Sequence, residues 1–282
     1  MKRAARGADP SLAGARPFLK WVGGKGQLLA QMGPLLPPRY GRYFEPFVGG
    51  AALFFHLRPP RATLTDVNAE LVDCYRAVRE HVEDVIRALD RHRYEEKHYY
   101  AVRAKDPAEL SLAERAARTI FLNKTGFNGL YRVNRSGRFN VPFGRYVNPG
   151  FRHPDSLANL RACARALRDV TIEVRDFTDV PRRARAGDFV YFDPPYVPVS
   201  TTSDFTSYVP GGFGADDQAR LADVFTKLAA KGVHVMLSNS DTPEVRKLYA
   251  PFRIDRVLAS RSVNSKVTKR GKVGEVVVRS FG

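Results

Sequence analysis

Short apolar segments that stop abruptly on a polar or glycine residue, each followed by a stretch of helical periodicity, recur at both ends of this chain. Arg42 to Phe55 reads as a short strand, a glycine-rich turn and the apolar start of a helix. Ala62 to Thr65 is a second strand, ending at Asp66. Leu71, Val72, Tyr75, Val78, Val85, Ile86 and Leu89 then recur at helical spacing, which predicts an amphipathic helix over 68–90. The rhythm returns after 155: a helix near 155–167, a strand from Val170 to Val174, and another from Phe189 to Phe192. A helix follows, capped by Asp216, with apolar face Leu221, Val224, Phe225 and Leu228 and a stop at Gly232. It leads into a strand from Val233 to Leu237. Strands alternating with helices specify an α/β fold with a mostly parallel, doubly wound, Rossmann-like sheet.

The rhythm breaks between 69 and 155. This stretch predicts helices around 95–104 and 108–123, then a Gly/Asn-rich segment whose Asn134-Arg135-Ser136-Gly137 suits a hairpin turn. The chain therefore divides into a domain over 17–68 and 156–282, an insertion over 69–155, and a basic flexible tail over 1–16. The 282 residues suffice for one large domain so interrupted.

Charge narrows the partners. Forty-six Lys and Arg against 29 Asp and Glu give a net +17, which points to a polyanion, nucleic acid ahead of a membrane surface. An arginine-rich genome would also raise the total, but it would not exclude acids locally. From Arg118 to Arg152 there are seven Lys or Arg, seven Phe or Tyr, and no Asp or Glu. That is the electrostatic footprint of a surface facing nucleic acid, with a solvated basic face as the alternative. No run of about 18 apolar residues exists, so no membrane span is expected. The basic start lacks the apolar core of a secretory signal. Cys74 and Cys163 are too few for a disulfide framework or a zinc site, and the cytoplasm is the expected compartment.

Ligands of such sheets bind beyond the carboxyl ends of the strands, and two constellations fall there. The first is Phe47-Val48-Gly49-Gly50, with Asp66 sixteen residues past Gly50 and Asp176-Phe177 after a later strand. The glycines allow close backbone approach, Asp66 suits ribose hydroxyls, and Asp176-Phe177 offers an acceptor and a ring for a base. Each has a structural alternative, a simple turn or a helix cap. Together and in order they favour a nucleoside ligand. Gly23-Gly24-Lys25-Gly26 lacks the spacing and the Ser/Thr of a P-loop.

The second constellation is Asp193-Pro194-Pro195-Tyr196. Two prolines fix two φ angles and remove two N–H donors, leaving rigid acceptor carbonyls. With the Asp193 carboxylate and the flat face of Tyr196, this cup complements an exocyclic amino group on a planar ring.

The combination of FLKWVGGKGQLL (18–29), FEPFVGG (44–50), KTGFNGLYR (124–132), FNVPFGRY (139–146) and DPPY (193–196) resembles the Dam-type DNA adenine-N6 methyltransferases. FTSY (205–208), SNSD (238–241) and RSVNS…VGEVVV (261–278) extend the resemblance over nearly the whole chain. It implies S-adenosylmethionine as cofactor, with Trp21, Lys25, Phe47 and Gly49 lining its site. Asp66 would take the ribose, Asp176 and Phe177 the adenine, and Asp193 the methionine end. It also implies that Asp193 and the Pro194 carbonyl accept the two N6 hydrogens of a flipped adenine, on the rigid Pro194-Pro195 corner, with Tyr196 stacked on the ring and Phe205 and Tyr208 helping to enclose it. Holding both hydrogens tilts the amine towards sp³ and frees its lone pair for in-line attack. No metal is expected, because a sulfonium is already an excellent leaving group.

For the double-stranded DNA partner, the resemblance places the 124–146 hairpin in the major groove. Phe127 would wedge into the emptied stack, where some members carry Tyr, and Asn128 would pair with a base left behind. Arg132 and Lys20 would read guanines, and Leu130 with Pro142 would pack on a thymine methyl. Arg135, Arg138 and Arg145 would contact phosphates. This set suggests GATC, although relatives with similar hairpins read other sites. A monomer is expected, with a cognate restriction endonuclease as a partner at the level of the system. The rivals are an RNA or protein-amide methyltransferase, which often starts the tetrapeptide with Asn, and a non-enzymatic DNA-binding module, which would be expected to lose Asp193, Tyr196 or Lys25.

Overall fold

The computed structural model describes residues 14–21, 23–134, 136–197, 212–260 and 272–282. A seven-stranded sheet runs β3-β2-β1-β4-β5-β7-β6. Its strands are β1 (Tyr43–Glu45), β2 (Ala62–Asp66), β3 (Thr171–Val174), β4 (Phe189–Phe192), β5 (His234–Ser240), β6 (Arg253–Ser260) and β7 (Lys272–Arg279). The first five pair in parallel, and β7 lies antiparallel between β5 and β6. The strand order reverses where β1 meets β4, which opens a crevice beyond their carboxyl ends.

The central strands are apolar on both faces because both are covered. Along β4, Phe189 and Tyr191 join one core while Val190 and Phe192 join the other. In β7, Val277 faces the first core, and Val276 and Val278 the second. This is the period-two alternation of a pleated strand, and burying each such side chain contributes about 1.5–3 kcal/mol.

The main helices match the periodicity within a few residues. They include α2 (Ala52–Leu57), α3 (Ala69–Asp90), α4 (Glu96–Ala104), α5 (Leu112–Thr125), α6 (Pro154–Ala166) and α8 (Ala215–Ala230), and the short helices are α1 (Leu29–Met32), α7 (Val180–Arg183) and α9 (Pro243–Leu248). Two boundaries differ from expectation. The helix expected from 108 begins at Leu112, because Pro107–Glu109 forms a 3₁₀ turn and a Ser111/Glu114 capping box starts α5. The cap of α8 is not Asp216: Gly214 holds the N-cap position and donates to the Asp217 carboxylate at 3.0 Å.

The inserted segment is not separate from the sheet layer. α3 packs on β2 and β3 as well as on α5. Arg76 and Arg79 donate from it to the carbonyls of Ile172 and Val170. The last residues of the expected tail are also held: Ala15 is buried, and Arg16 exchanges two backbone bonds of 3.0 Å with the Asn159 amide of α6. Residues 1–13 lie outside the described residues. Among the described residues, no helix is long and apolar enough to cross a membrane.

Candidate active site

The crevice at the β1/β4 switch point gathers the tetrapeptide and the glycine-rich segments. Lys25, in a 3₁₀ turn (Lys25–Gln27), is 2% exposed and pairs with Asp193 Oδ1 at 2.7 Å. It also donates to the Gly23 carbonyl. Its ammonium lies 4.7 Å from the centroid of the Tyr196 ring. Burial pushes the Asp193 carboxyl above its usual range, Lys25 opposes the shift, and Glu275 adds to it.

Among the described residues, one of the two proline carbonyls has a donor. Pro195 O accepts from Gln218 Nε2 at 2.9 Å, and Gln218 Oε1 accepts from Asn239 Nδ2 at 3.1 Å. Asn239 Oδ1 in turn accepts from the Val197 N–H at 3.2 Å. Gln218 and Asn239 are buried, so this amide pair holds the far side of the corner with its polar atoms satisfied. Among the described residues, neither the Pro194 carbonyl nor the second Asp193 oxygen has a donor. The corner thus presents two acceptors on a fixed frame.

The glycine turn after β1 approaches Trp21 closely. Gly49 has φ 43°, and a Cβ there would meet Trp21 Cδ1 at 2.9 Å. Tyr75 donates to the Gly49 carbonyl at 2.9 Å. Asp66 Oδ1 accepts from Asn68 N at 3.0 Å, and burial raises the Asp66 pKa to about 6. Asp66 is not a helix cap: Asn68 caps α3 by accepting from Leu71 N. Phe47 and Phe177 stack with centroids 5.4 Å apart. Asp176 uses Oδ1 to cap the Phe177–Asp179 turn and stands 3.6 Å from Arg220, so one of its oxygens is committed within the protein.

The insertion touches this site. Trp21 stacks on Tyr131, centroids 5.1 Å apart and 26° from parallel. The buried Asn123 amide exchanges 2.7 Å bonds with both backbone groups of Lys20 and donates to Gly129 O at 3.2 Å. Gly129 has φ 63°, and a Cβ there would run into the Lys20 side chain at 2.5 Å.

Beyond it the hairpin is irregular, with bridges Gly126↔Phe143 and Val133↔Phe139. Asn134 and Arg138 close the expected turn through Asn134 N to Arg138 O at 2.9 Å. Phe127-Asn128-Gly129-Leu130 bulges between the bridges, with Asn128 also at positive φ and Phe127 50% exposed. Lys20, Asn128, Arg132, Arg138, Pro142 and Arg145 are exposed, and Leu130 is partly so. Arg132 is braced by a 2.7 Å bond to Asn140 Oδ1.

Arg118 departs from the expected basic surface. It is 4% exposed, pairs with Glu70 at 3.3 Å and donates to the carbonyls of Val102 and Arg103, so it is a structural cation. Arg135, Phe205, Tyr208 and 261–265 lie outside the described residues.

Two residues of the site lie inside the motifs FEPFVGG and SNSD, but were given no role from the sequence. Glu45, at the end of β1, is buried and accepts from Tyr43 at 2.8 Å; burial pushes its pKa to about 8. A carboxyl between Phe44 and Pro46 at a strand end was the available signal. Asn239 stood inside SNSD, where its partners could not be read.

The sheet order and this corner define an α/β methyltransferase. A family model described as D12 class N6 adenine-specific DNA methyltransferase matches residues 21–263. The chain is 44% identical over 275 residues to Type II methyltransferase M1.LlaDCHI of Lactococcus lactis subsp. cremoris, covering 95% of this chain and 96% of that one. It is 42% identical over 277 residues to Type II methyltransferase M.MjaIII of Methanocaldococcus jannaschii, covering 90% and 95%. It is 34% identical over 266 residues to the DNA adenine methylase of Escherichia coli strain K12, covering 93% and 94%. The chain belongs to the D12 class of N6 adenine-specific DNA methyltransferases.

Proposed function

We propose that this enzyme methylates adenine N6 within GATC in duplex DNA, drawing the methyl group from S-adenosylmethionine and acting on a base turned out of the helix. The observation that carries this is the asymmetry of the proline corner. Gln218 occupies the Pro195 carbonyl, whereas the Pro194 carbonyl and one Asp193 oxygen have no donor among the described residues. Two fixed acceptors match the two hydrogens of an adenine amine.

The residues around the crevice fit the cofactor. The Gly49 turn admits a ligand where a side chain would collide, Asp66 lies at the strand end as a ribose acceptor, and the Phe47/Phe177 pair supplies a flat apolar wall for a base. When bound, the cofactor supplies an activated methyl on a sulfonium. The protein's part is orientation and electrostatics. Asp193 and Pro194 hold the amine so that its lone pair leaves the ring plane, and Tyr196 offers a face to the purine. Lys25 holds Asp193 in place by taking its other oxygen. Asp193 need not be a strong base, because N6 becomes acidic only after it gains the methyl group.

A buried adenine edge is out of reach in a duplex, so the base must be extruded, at a cost of a few kcal/mol. The half-exposed Phe127 is suited to fill the gap, and Asn128 to meet the orphaned partner. Arg132 and Lys20 suit guanine, Leu130 and Pro142 a thymine methyl, and Arg138 and Arg145 the phosphates. The protein works as a monomer in the cytoplasm, and its type II relatives favour a cognate endonuclease in the same system.

The test is to incubate the protein with labelled S-adenosylmethionine and plasmid DNA and to map the modified base with its flanks. N6-methyladenine confined to GATC is expected. Label on another base would overturn the chemistry, and N6-methyladenine at another site would overturn only the recognition assignment.

A further inference from the structure

Tyr196 is the part of the corner that its prolines do not fix. Pro194 and Pro195 restrain the backbone, but the phenol ring still turns about χ1 and χ2. The structure restrains it from its far end. The Tyr196 hydroxyl donates to Glu275 Oε2 at 2.8 Å, while Lys25 stands 4.7 Å from its ring. Glu275 arrives from β7, where it is paired opposite Ser240 of β5. Because β7 is inserted antiparallel between β5 and β6, a residue 79 positions further along the chain returns to the corner.

Glu275 is partly buried and makes no ion pair within 4.0 Å with any described residue. A carboxylate taken partly out of water without a cation is disfavoured unless hydrogen bonds offset the loss. Here the phenol supplies that bond, so the placement makes sense as a restraint on Tyr196. The same contact makes the ring more electron-rich. That favours stacking on a purine whose amine gains positive charge as it takes the methyl group.

We propose that Glu275 is a positioning residue for methyl transfer, fixing the tilt of the Tyr196 ring against the extruded adenine. The inference rests on the assignment of Tyr196 to that adenine. It is tested with Glu275→Ala, Glu275→Gln, Tyr196→Phe and the double variant Glu275→Ala/Tyr196→Phe, all in the full chain with duplex DNA. Single-turnover rates are read beside dissociation constants for DNA and S-adenosylmethionine.

Loss of one such bond predicts a rate about ten-fold lower in Glu275→Ala, with both dissociation constants within about two-fold of wild type. Glu275→Gln keeps an acceptor oxygen and is expected to retain most of the rate. Tyr196→Phe keeps the ring and loses the donor, so the double variant should be no slower than the slower single one. Multiplicative losses, an unchanged rate in Glu275→Ala, or Gln as damaging as Ala would overturn the inference. A wild-type protein that leaves adenine unmodified would instead overturn the assignment beneath it.

Discussion

Replacing Asp193 with alanine should damage catalysis and stability by separable amounts. On the catalytic side, the variant loses one of two acceptors for the amine. A hydrogen bond to a charged acceptor is worth about 1.5–3 kcal/mol, and losing one preorganised group of an active site lowers kcat by about 10²–10³. On the stability side, Lys25 is 2% exposed and its ammonium is left without the carboxylate now 2.7 Å away. Removing one partner of a buried pair costs about 3–5 kcal/mol. Asp193 keeps 21% of its side-chain surface exposed, which puts the expected loss near the low end, about 3 kcal/mol. The double variant Lys25→Met/Asp193→Ala removes the stranded charge. It should recover most of that stability while remaining as slow as the single variant.

Denaturant unfolding at pH 7 reads the loss of stability, and single-turnover transfer to duplex DNA reads the loss of catalysis. An Asp193→Ala protein that unfolds at the wild-type midpoint would refute the buried pair. A rate within ten-fold of wild type would refute the grip on the amine.

Four further outcomes follow from the same geometry. Arg132→Ala should relax sequence preference at one position, read by methylation of sites differing by single bases; unchanged preference with only a shallower salt dependence would make it a phosphate contact. Gln218→Leu frees the Pro195 carbonyl and strands the buried Asn239 amide, so it should cost about 1–3 kcal/mol in denaturant unfolding and slow transfer; wild-type behaviour in both would exclude the amide pair as a support. Burial makes the folded chain hold the Glu45 proton up to about pH 8, against the ordinary value of 4.5 for a solvent-exposed glutamate. This contribution to stability is therefore full below about pH 4.5 and falls as pH rises to about 8, by on the order of 5 kcal/mol. Glu45→Gln should flatten that dependence between about pH 4.5 and pH 8, and parallel curves for the two proteins over that range would contradict it. Chelator should leave the methylation rate unchanged, since a sulfonium leaves without Lewis-acid help, and inhibition reversed by added metal would contradict that view.

The parallel part of the sheet was legible because its strands are buried on both faces. That burial writes continuous apolar runs such as Phe189–Phe192 into the chain and ends them on chemistry-bearing residues. The closing hairpin of β6 and β7 was not read as strand pairing: Arg253, Asp255 and Arg256 at the open edge break the apolar signal. The corner itself was legible through its prolines, but its supports were not. Gln218, Asn239 and Glu275 act on groups 21 to 79 residues away, and no local pattern encodes such partners. Arg118 shows the converse. It sits in an acid-free stretch, yet its carboxylate partner Glu70 lies 48 residues earlier, and charge alone does not reveal burial.

The central claim is that Asp193 and Pro194 together hold the amino group of an extruded adenine. A crystal structure of the protein with a non-transferable analogue of the methyl donor and a duplex carrying GATC tests it most directly. The target base is expected outside the helix, its N6 about 3 Å from an Asp193 oxygen and from the Pro194 carbonyl. A target adenine still stacked in the duplex, or an extruded base whose N6 meets neither oxygen, would contradict it.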